Sequence, residues 1–525
     1  AKDMIDYFGI FRSSGADFWA YLYPHHQRAN KYSLRWLFQI FVESVSPKFM
    51  TLLDKLTPKS FLISYYANLL DVPKEKIILV NHHRCHVEAA RFSLNNELPW
   101  LIVTVDGEGD LESGTVYKTT NYGDGVEKLA SIDRKNSLGY FYTWITEYLG
   151  MKPNEHEFKV MGLEPYVRKN TKEYARVFDK LNNLFWFDGP NFKAKIPTTS
   201  LAYKRFLRQE LYKERFDNIA AAAQLTLETV VSQWIDNWIE VTGIKNVALS
   251  GGTMMNVKLA QRISLMHKVE RLYVMPSSGD ETTVFGVCNF IHQKFSGKGL
   301  EKLQSLYLGC NRSNDEIDNW VLNIDKSKFS VFKHTGMVET EVANLLAEGH
   351  VVARFNGPDE FGARALGNRS ILAHPSNPET IAKINKFIKD RDFWMPFTPS
   401  ILESKANDYI KNPKNIFSPY MSMTFESSDE GVIKFAAAIH PYDKTMRIQM
   451  VSREWNPSYY RLIEEFGNRT GIFGVLNTSF NLHGEPNVFS PDDALRTLDM
   501  SGLGYLAIGD YIIQKVEVQV VSINE

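Results

Sequence analysis

The sequence has few cysteines, almost no net charge and no long apolar run. Its three cysteines, Cys85, Cys288 and Cys310, are scattered through 525 residues, which argues against a disulfide framework and fits a reducing cytoplasm. The formal net charge of −1 gives no general attraction to nucleic acid or to anionic membranes. No apolar run approaches the roughly 18 residues that a membrane-spanning helix needs. We therefore expect a cytoplasmic protein with no nucleic-acid or membrane partner.

The first residues, AKDMIDYFG, predict no signal peptide, because they include acidic side chains and no apolar core. The most apolar run, Leu34–Val45, is interrupted by Arg35, Gln39 and Glu43. That spacing is typical of an amphipathic helix that packs on a protein core.

The length and composition predict a globular protein with more than one domain. Hydrophobic residues make up 44% and charged residues 23% of the chain, as in ordinary globular proteins. A chain of 525 residues is too long for a single core. The composition becomes polar and turn-rich across residues 295–335, and we place a boundary there, giving domains 1–303 and 304–525.

Strand-like and helical patterns alternate along both parts, which is typical of an α/β layer fold, with more strands in the second part. The predicted strands lie in Lys76–Val80, Trp100–Gly107, 112–120, Asn246–Gly252, 271–275, 349–357, 436–444, 473–481 and 505–518. The predicted helices lie near 217–242, 338–348, 377–389 and 456–468.

The stretch NHHRCH, residues 81–86, contains three histidines. On a helix, His82 and His86 lie on one face within reach of a single ion. Isolated histidine pairs at this spacing mostly bind nothing, so a metal site needs further ligands. His83 would point elsewhere, as a second-layer residue or a substrate contact.

Two aspartates are candidates to complete the site. Asp106 ends a predicted strand, and Asp280 stands at the entrance to a helix after another strand. Loops beyond the carboxyl ends of strands in α/β sheets meet in one crevice, so these carboxylates are expected to join His82 and His86. Two nitrogens and two oxygens suit a divalent transition ion better than calcium. The alternatives are a turn former for Asp106 and a helix cap for Asp280.

Glycine turns in the first part suggest a nucleotide site. Backbone amides at such turns approach a flat or anionic group closely, and a nearby lysine adds charge. The candidate residues are Lys159, Gly162, Gly251, Gly252 and Asn256.

The second part contains a set of cations in glycine-bounded or apolar segments, beginning with EFGARALGNRSI at Glu360–Ile371. Arginine binds carboxylate and phosphate through two parallel hydrogen bonds, and lysine adds a point charge. Surface salt bridges fit less well, because these cations do not lie on mixed-charge helical faces. The set predicts a pocket for a small polyanion, formed by Arg364, Arg369, Lys389, Arg391, Arg447, Asn477 and Ser479.

At this point the chain resembles a known family, the O-carbamoyltransferases of the nodulation-factor, cephamycin and tobramycin type. The resemblance extends from residue 76 to residue 515. Its motifs are specific when taken together, although no single one would be. It rests on HHRCH, TVDGEGD, SLGYFYTWITEYLG, EFKVMGLEPY, SGGTMMN and PSSGDE, and then on EFGARALGNRSIL, INKFIKDRDFWMPFTPSIL, LNTSFNLHGEPNVFSPDDAL and IGDYIIQK. It implies an actin-like ATPase-fold domain, similar to threonylcarbamoyltransferases, followed by a YrdC-like α/β domain.

The resemblance also implies a reaction. The second domain would convert carbamoyl phosphate and ATP, with Mg²⁺, into carbamoyl adenylate, releasing phosphate and pyrophosphate. The seven residues of the polyanion pocket match the positions that hold these substrates, with Arg364 and Lys389 taking part in catalysis. The first domain would pass the carbamoyl group to a hydroxyl of a small natural product. Its metal would be iron, with zinc or manganese as alternatives. The ligands would be the residues that match His82, His86, Asp106 and Asp280. His83 would be the general base.

The sequence departs from the family pattern in four places. The family's first hairpin is missing from the start of this chain, and Ala363 stands where proline is usual. Met254 and Met255 alter the glycine turn, and Lys258 replaces an asparagine. We expect the helical insert at 1–75 to cap the acceptor site or to form a homodimer face, through the aromatic residues Trp19, Trp36, Phe38 and Tyr65.

Three other functions remain open. A transferase acting on nitrogen or on tRNA is one, although tRNA calls for a basic face. A nucleotide-gated binding protein on an actin-like scaffold is the second, and a metal-dependent hydrolase is the third. A hydrolase would not need the arginine and lysine set.

Overall fold

The computed structural model describes residues 6–11, 56–94, 99–121, 125–385, 388 and 392–516. The chain divides into two compact units, 1–303 and 304–525. The predicted helix at Leu34–Val45 and the aromatic residues Trp19, Trp36 and Phe38 lie outside the described residues.

Helices and strands alternate in the first unit. The strands are β1 (Phe8–Ile10), β2 (Ile77–Leu79), β3 (Leu101–Gly109), β4 (Glu112–Thr119), β5 (Val126–Asp133), β6 (Phe185–Asp188), β7 (Asn191–Ala194), β8 (Asn246–Ser250) and β9 (Arg271–Val274). The helices are α1 (Lys59–Leu70), α2 (His82–Arg91), α3 (Leu138–Tyr148), α4 (Glu157–Leu163), α5 (Lys172–Asn182), α6 (Leu201–Glu210), α7 (Phe216–Thr242), α8 (Val257–Ser264) and α9 (Thr283–Ser296).

The main sheet of this unit has the strand order β5-β4-β3-β8-β9. Strands β3, β4 and β5 form an antiparallel meander, and β8 and β9 run parallel to β3. The carboxyl ends of β3, β8 and β9 therefore share one edge, which is where ligands bind in such sheets. Helix α2 contributes Val87 and Ala90 to a buried apolar cluster that also includes Ile102 of β3. This mixed sheet confirms the α/β prediction.

The second unit is built on a larger sheet. Its strands are β10 (Phe329–Lys333), β11 (Val352–Phe355), β12 (Arg369–Ala373), β13 (Thr398–Leu402), β14 (Ile410–Lys411), β15 (Phe425–Ser427), β16 (Thr445–Met446), β17 (Gln449–Val451), β18 (Gly474–Ser479), β19 (Tyr505–Ile508) and β20 (Tyr511–Lys515). Its helices are α10 (Asn314–Val321), α11 (Val338–Ala347), α12 (Glu379–Ile384), α13 (Ala406–Tyr409), α14 (Asp429–Lys434), α15 (Pro457–Thr470) and α16 (Pro491–Met500).

Eight of these strands form a mixed sheet in the order β10-β20-β19-β11-β12-β18-β13-β17. The prediction of a second, strand-rich α/β region is confirmed. The strand expected at 436–444 was wrong, because that segment turns, with the His440 N–H donating to the carbonyl of Thr445. Pro441 follows directly and has no N–H to give to a ladder.

No helix in the described part of the chain is both long and apolar enough to cross a membrane.

Candidate functional site

The first turn of α2 is fixed by two side chains outside the helix. The Asn81 Oδ1 accepts a hydrogen bond from the Arg84 N–H at 2.9 Å, and the Asp110 Oδ2 accepts one from the His82 N–H at 2.7 Å. Both bonds satisfy amides that a helix start leaves without partners, and the carboxylate also suits the positive end of the helix dipole. The β3–β4 hairpin that carries Asp110 therefore sets the position of His82.

The four predicted ligands come together in space, with one donor atom of each lying within 4.8 Å of the others. The Asp106 Oδ2 lies 3.3 Å from the His82 Nε2 and 3.0 Å from the His86 Nε2. The two Nε2 atoms are 3.2 Å apart. The Asp280 Oδ1 is 3.5 Å from the His82 Nε2 and 3.7 Å from the His86 Nε2.

These separations fit a bound divalent ion. Metal–ligand bonds of about 2.1 Å place neighbouring ligand atoms about 3.0–3.4 Å apart in octahedral or tetrahedral sites. Two imidazole nitrogens that face each other can share at most one proton between them, so an ion satisfies this arrangement better than hydrogen bonds do. Both histidines are fully buried, whereas the Asp280 side chain is 49% exposed, which leaves the site open on that side.

The charges around the site keep a proton on His86, which competes with a metal ion, and keep the carboxylates ionised, which favours one. Burial opposes the charged form of His86, but hydrogen bonds and charge from Asp106 and Asp280 raise the pKa of His86 to about 9. Burial also opposes the charge on Asp106, yet hydrogen bonds from His82 and His86 hold the pKa of that carboxyl well below its usual value. The carboxylates are therefore ionised and ready to act as ligands at neutral pH.

His83 lies away from this cluster, as its position in the sequence suggested. It is fully buried, and its Nδ1 lies 2.8 Å from the Thr104 Oγ1 on the sheet. Burial, followed by the charges of His82 and His86, holds the pKa of His83 well below its usual value. This placement gives His83 no direct path to an acceptor hydroxyl, so its role as the base stays a prediction.

The predicted nucleotide turn passes directly beside Asp106. Gly251 has φ +97°, and a side chain there would overlap the carbonyl oxygen of Val105. A Cβ at Gly252 would lie 3.1 Å from the Asp106 Oδ1. Glycine is required here because the turn closes against the strand end that carries the candidate ligand Asp106.

Asn256 belongs to a buried polar network that the sequence did not reveal. Its Oδ1 caps α8 by accepting the Leu259 N–H, and it also accepts from the Gln224 Nε2 at 3.0 Å. The Gln224 Nε2 bonds to the Glu228 Oε1 at 2.8 Å, and burial raises the pKa of Glu228. Gln224 and Glu228 lie four residues apart on α7, but this helix contains several other polar residues, so the sequence did not distinguish this pair.

The other predicted nucleotide residues precede this network in the chain. Lys159 is half-buried and Gly162 is buried, both on α4. One residue beyond α4, the Glu164 Oε2 pairs with the Lys258 Nζ at 2.9 Å. Lys258 therefore contacts a protein carboxylate in this structure.

The described arginines of the predicted polyanion set differ in burial. Arg364 and Arg447 are half-buried. Arg369 is only 1% exposed. Lys389 and Arg391 lie outside the described residues.

The two polar residues of that set lie on or at the end of β18. The Asn477 Nδ2 donates to the carbonyl of Ala365 at 3.1 Å, which ties β18 to the glycine loop. The Ser479 Oγ donates to the Asn481 Oδ1 at 2.6 Å. The structure therefore brings Asn477 to the loop that contains Arg364.

Comparisons with known proteins give consistent matches. A family model described as the carbamoyltransferase N-terminus matches residues 39–288, and one described as the carbamoyltransferase C-terminus matches residues 343–515. An uncharacterised protein of Methanocaldococcus jannaschii, MJ1051, is 32% identical over 84% of this chain and 84% of its own length. Nodulation protein NolNO of Sinorhizobium fredii is 31% identical over 85% of this chain and 65% of its own. Nodulation protein NolO of Bradyrhizobium diazoefficiens is 29% identical over 83% of this chain and 79% of its own.

Proposed function

The chain belongs to the carbamoyltransferase family, and on that premise we propose that it carbamoylates a hydroxyl group of a small-molecule acceptor in two steps. The observation that carries this proposal is the convergence of two imidazole nitrogens and two carboxylates in the first unit of a chain that both family models match. Carbamoyl phosphate, ATP and the acceptor are the proposed substrates.

The first step belongs to the second unit. Carbamoyl phosphate and ATP give carbamoyl adenylate, phosphate and pyrophosphate, and this balance consumes one water molecule. Arg364 is the proposed contact for the carbamoyl phosphate oxygens, because a guanidinium matches two of them at once. Lys389 and Arg391 are proposed to add positive charge for the ATP phosphates, and the same phosphates would bind Mg²⁺.

The second step belongs to the first unit. The acceptor oxygen attacks the carbamoyl carbon, the bond to AMP breaks, and a general base takes up the hydroxyl proton. A divalent ion held by His82, His86, Asp106 and Asp280 would supply Lewis-acid polarisation of the carbonyl group. Iron is proposed on resemblance, with zinc or manganese compatible with the same donors. The nucleotide is proposed to lie along Gly251 and Gly252.

The test omits the acceptor. The protein is given ATP, Mg²⁺ and carbamoyl phosphate, and pyrophosphate release is followed over time. We expect release in the wild type, loss of at least about 100-fold in Arg364→Ala, which removes a charged substrate contact, and unchanged release in His82→Ala. A folded, metal-loaded protein that releases no pyrophosphate contradicts the proposal. An ester hydrolase would instead depend on His82 and be indifferent to Arg364.

A further inference from the structure

The glycine loop of the second unit, residues 357–369, contains an amide nest that the chain fills with its own carboxylate. The Glu360 Oε1 accepts hydrogen bonds from the backbone N–H groups of Leu366, Asn368 and Arg369, at 2.9, 2.7 and 3.1 Å. The N–H of Gly367 donates to the Ser370 Oγ at 3.0 Å. Converging amides of this kind form a concavity for an anion. Here the anion is Glu360.

The carbonyl groups of the loop are satisfied as well. The carbonyl of Leu366 accepts from the Tyr307 Oη at 2.8 Å and from the Gln449 Nε2 at 2.9 Å. The carbonyl of Gly367 accepts from the Arg354 Nη1 at 2.6 Å, and the carbonyl of Asn368 accepts from the Asn356 N–H at 3.0 Å. Every backbone polar group from Leu366 to Asn368 therefore has a partner within the chain, and none is left for a phosphate.

Arg369 is directed into the protein. Its Nη1 donates to the carbonyls of Asn356 and Gly357, at 3.2 and 3.1 Å. Its Nη2 lies 2.6 Å from the Asp359 Oδ1, and the guanidinium stacks 3.6 Å above the ring of Phe355. A buried guanidinium needs such partners, since an unpaired one would cost several kcal/mol. These contacts describe a residue that holds the loop.

Arg354 acts on the loop from the neighbouring strand. It is 2% exposed, and besides the Gly367 carbonyl it donates to the Asn368 Oδ1 at 3.1 Å and to the Ser458 Oγ at 2.7 Å. The exposed part of the loop is its turn, where Gly362 and Ala363 are exposed and Arg364 is half-buried.

We propose that Glu360, Arg354 and Arg369 are positioning residues that hold the glycine loop so that Arg364 meets the substrate anion. In this proposal Glu360 also closes the amides of Leu366, Asn368 and Arg369 to phosphate. This inference rests on the proposed function only for the identity of the anion, carbamoyl phosphate. It gives Arg369 a different role from the substrate contact that the family resemblance implies.

The first test measures the loop itself. Amide hydrogen exchange of peptides covering 365–369 is followed by mass spectrometry in the free protein. In Glu360→Gln we expect exchange about 10-fold faster, because a charged acceptor is replaced by a neutral one. Two control variants should keep wild-type exchange. One is Arg364→Gln, and the other is Glu464→Gln at the surface, where Glu464 pairs with the exposed Arg453. If Glu360→Gln does not fold, Glu360→Asp keeps the charge but shortens its reach, and faster exchange is again expected.

The second test separates positioning from substrate contact through pyrophosphate kinetics. At temperatures well below unfolding, Arg369→Lys should lower kcat about 10-fold with KM for carbamoyl phosphate nearly unchanged, together with faster loop exchange. A raised KM with wild-type exchange would make Arg369 a substrate contact and overturn the proposal. An Arg369→Lys variant with unchanged kcat and KM would reduce its role to folding and overturn it too.

Two further outcomes are decisive. Added carbamoyl phosphate should leave the exchange of the 366–369 amides in wild type unchanged, because Glu360 already occupies them. Further protection on adding the substrate would show that its phosphate replaces Glu360, contrary to the proposal. A wild type that releases no pyrophosphate would contradict the proposed function, while the exchange rates in Glu360→Gln would still decide whether Glu360 holds the loop.

Discussion

At the residue scale, the metal cluster and the buried arginine differ in how far the sequence could predict them. The convergence of His82, His86, Asp106 and Asp280 was predictable, because helical spacing and positions after strands fix where such side chains point. The inward orientation of Arg369 was not predictable, since an arginine among small residues has the same sequence pattern whether it faces a substrate or the carbonyls of its own loop. Only the packing of Phe355 and Asp359 against it separates these cases.

Metal binding at the proposed site should depend on pH. The pKa of His86 is about 9 without a bound ion, because Asp106 and Asp280 stabilise its charged form despite burial. Below pH 9 an ion must displace that proton, so the apparent affinity should rise about 10-fold per pH unit from pH 7 to pH 9 and then level off. Titration calorimetry with Zn²⁺ in two buffers of different ionisation heat measures the affinity and the proton released.

The matched variants for this prediction are His86→Ala and His292→Ala. The first removes the titrating ligand and should abolish both tight binding and proton release. The second removes an exposed histidine and should change neither. Affinity that stays constant between pH 7 and pH 9 would mean that no proton is displaced from the site.

At the element scale, the geometry of the proposed metal site depends on how α2 packs against α9. Glu88, fully buried on α2, accepts from the Arg91 Nε at 2.7 Å and from the Asn289 Nδ2 of α9 at 2.9 Å. Gly286 of α9 contacts the carbonyl of Cys85 so closely that a Cβ would overlap it. The sequence indicated an element that starts at the histidines and a helix that starts after Asp280, but not this contact, because a glycine required for close approach and one in an ordinary turn are identical in sequence.

Substituting Gly286 should disturb the metal site from a distance. In Gly286→Ala the added methyl group forces α9 away from α2 and shifts Asp280, which precedes α9, relative to His82 and His86. We expect about 1–3 kcal/mol lower free energy of unfolding and about 10-fold weaker metal binding. Thermal unfolding and metal titration measure the two effects.

The control for this variant is Val284→Ala, in the first turn of the same helix, where the side chain is 56% exposed. It should leave the melting temperature and the metal affinity within error of wild type. Normal metal affinity in a destabilised Gly286→Ala protein would show that helix spacing does not set the donor geometry.

At the scale of the whole molecule, the chain consists of two compact units, each with its own sheet and its own candidate site. The hydrophobic cores of the units were foreseeable from chain length and from alternating patterns, because a single core does not grow to this size. The turn in segment 436–444 was not foreseeable in the same way, since the apolar start of this segment resembles a strand. The structure shows that the chain turns at His440 and Pro441.

Thermal unfolding should therefore show two transitions that respond to different ligands. A chelator should lower only the transition of the first unit, whereas carbamoyl phosphate should raise only that of the second. A ligand at 100 times its dissociation constant stabilises by about 2.7 kcal/mol, enough to resolve the shifts by calorimetry. His82→Ala and Arg364→Ala assign the transitions by abolishing one response each. A single transition that moves with both ligands would contradict this expectation.

The hydrogen bonding of the glycine loop also limits which of its positions can be substituted during evolution. A substitution at Gly367 would place a Cβ against the ring of Tyr459, and one at Arg369 would remove buried hydrogen bonds to the loop carbonyls, whereas Ala363 is exposed at the turn. Natural substitutions that change anion recognition are therefore expected at Ala363 and Arg364. Directed evolution toward another acyl phosphate should begin with libraries at those two positions, because far more of their members will still fold.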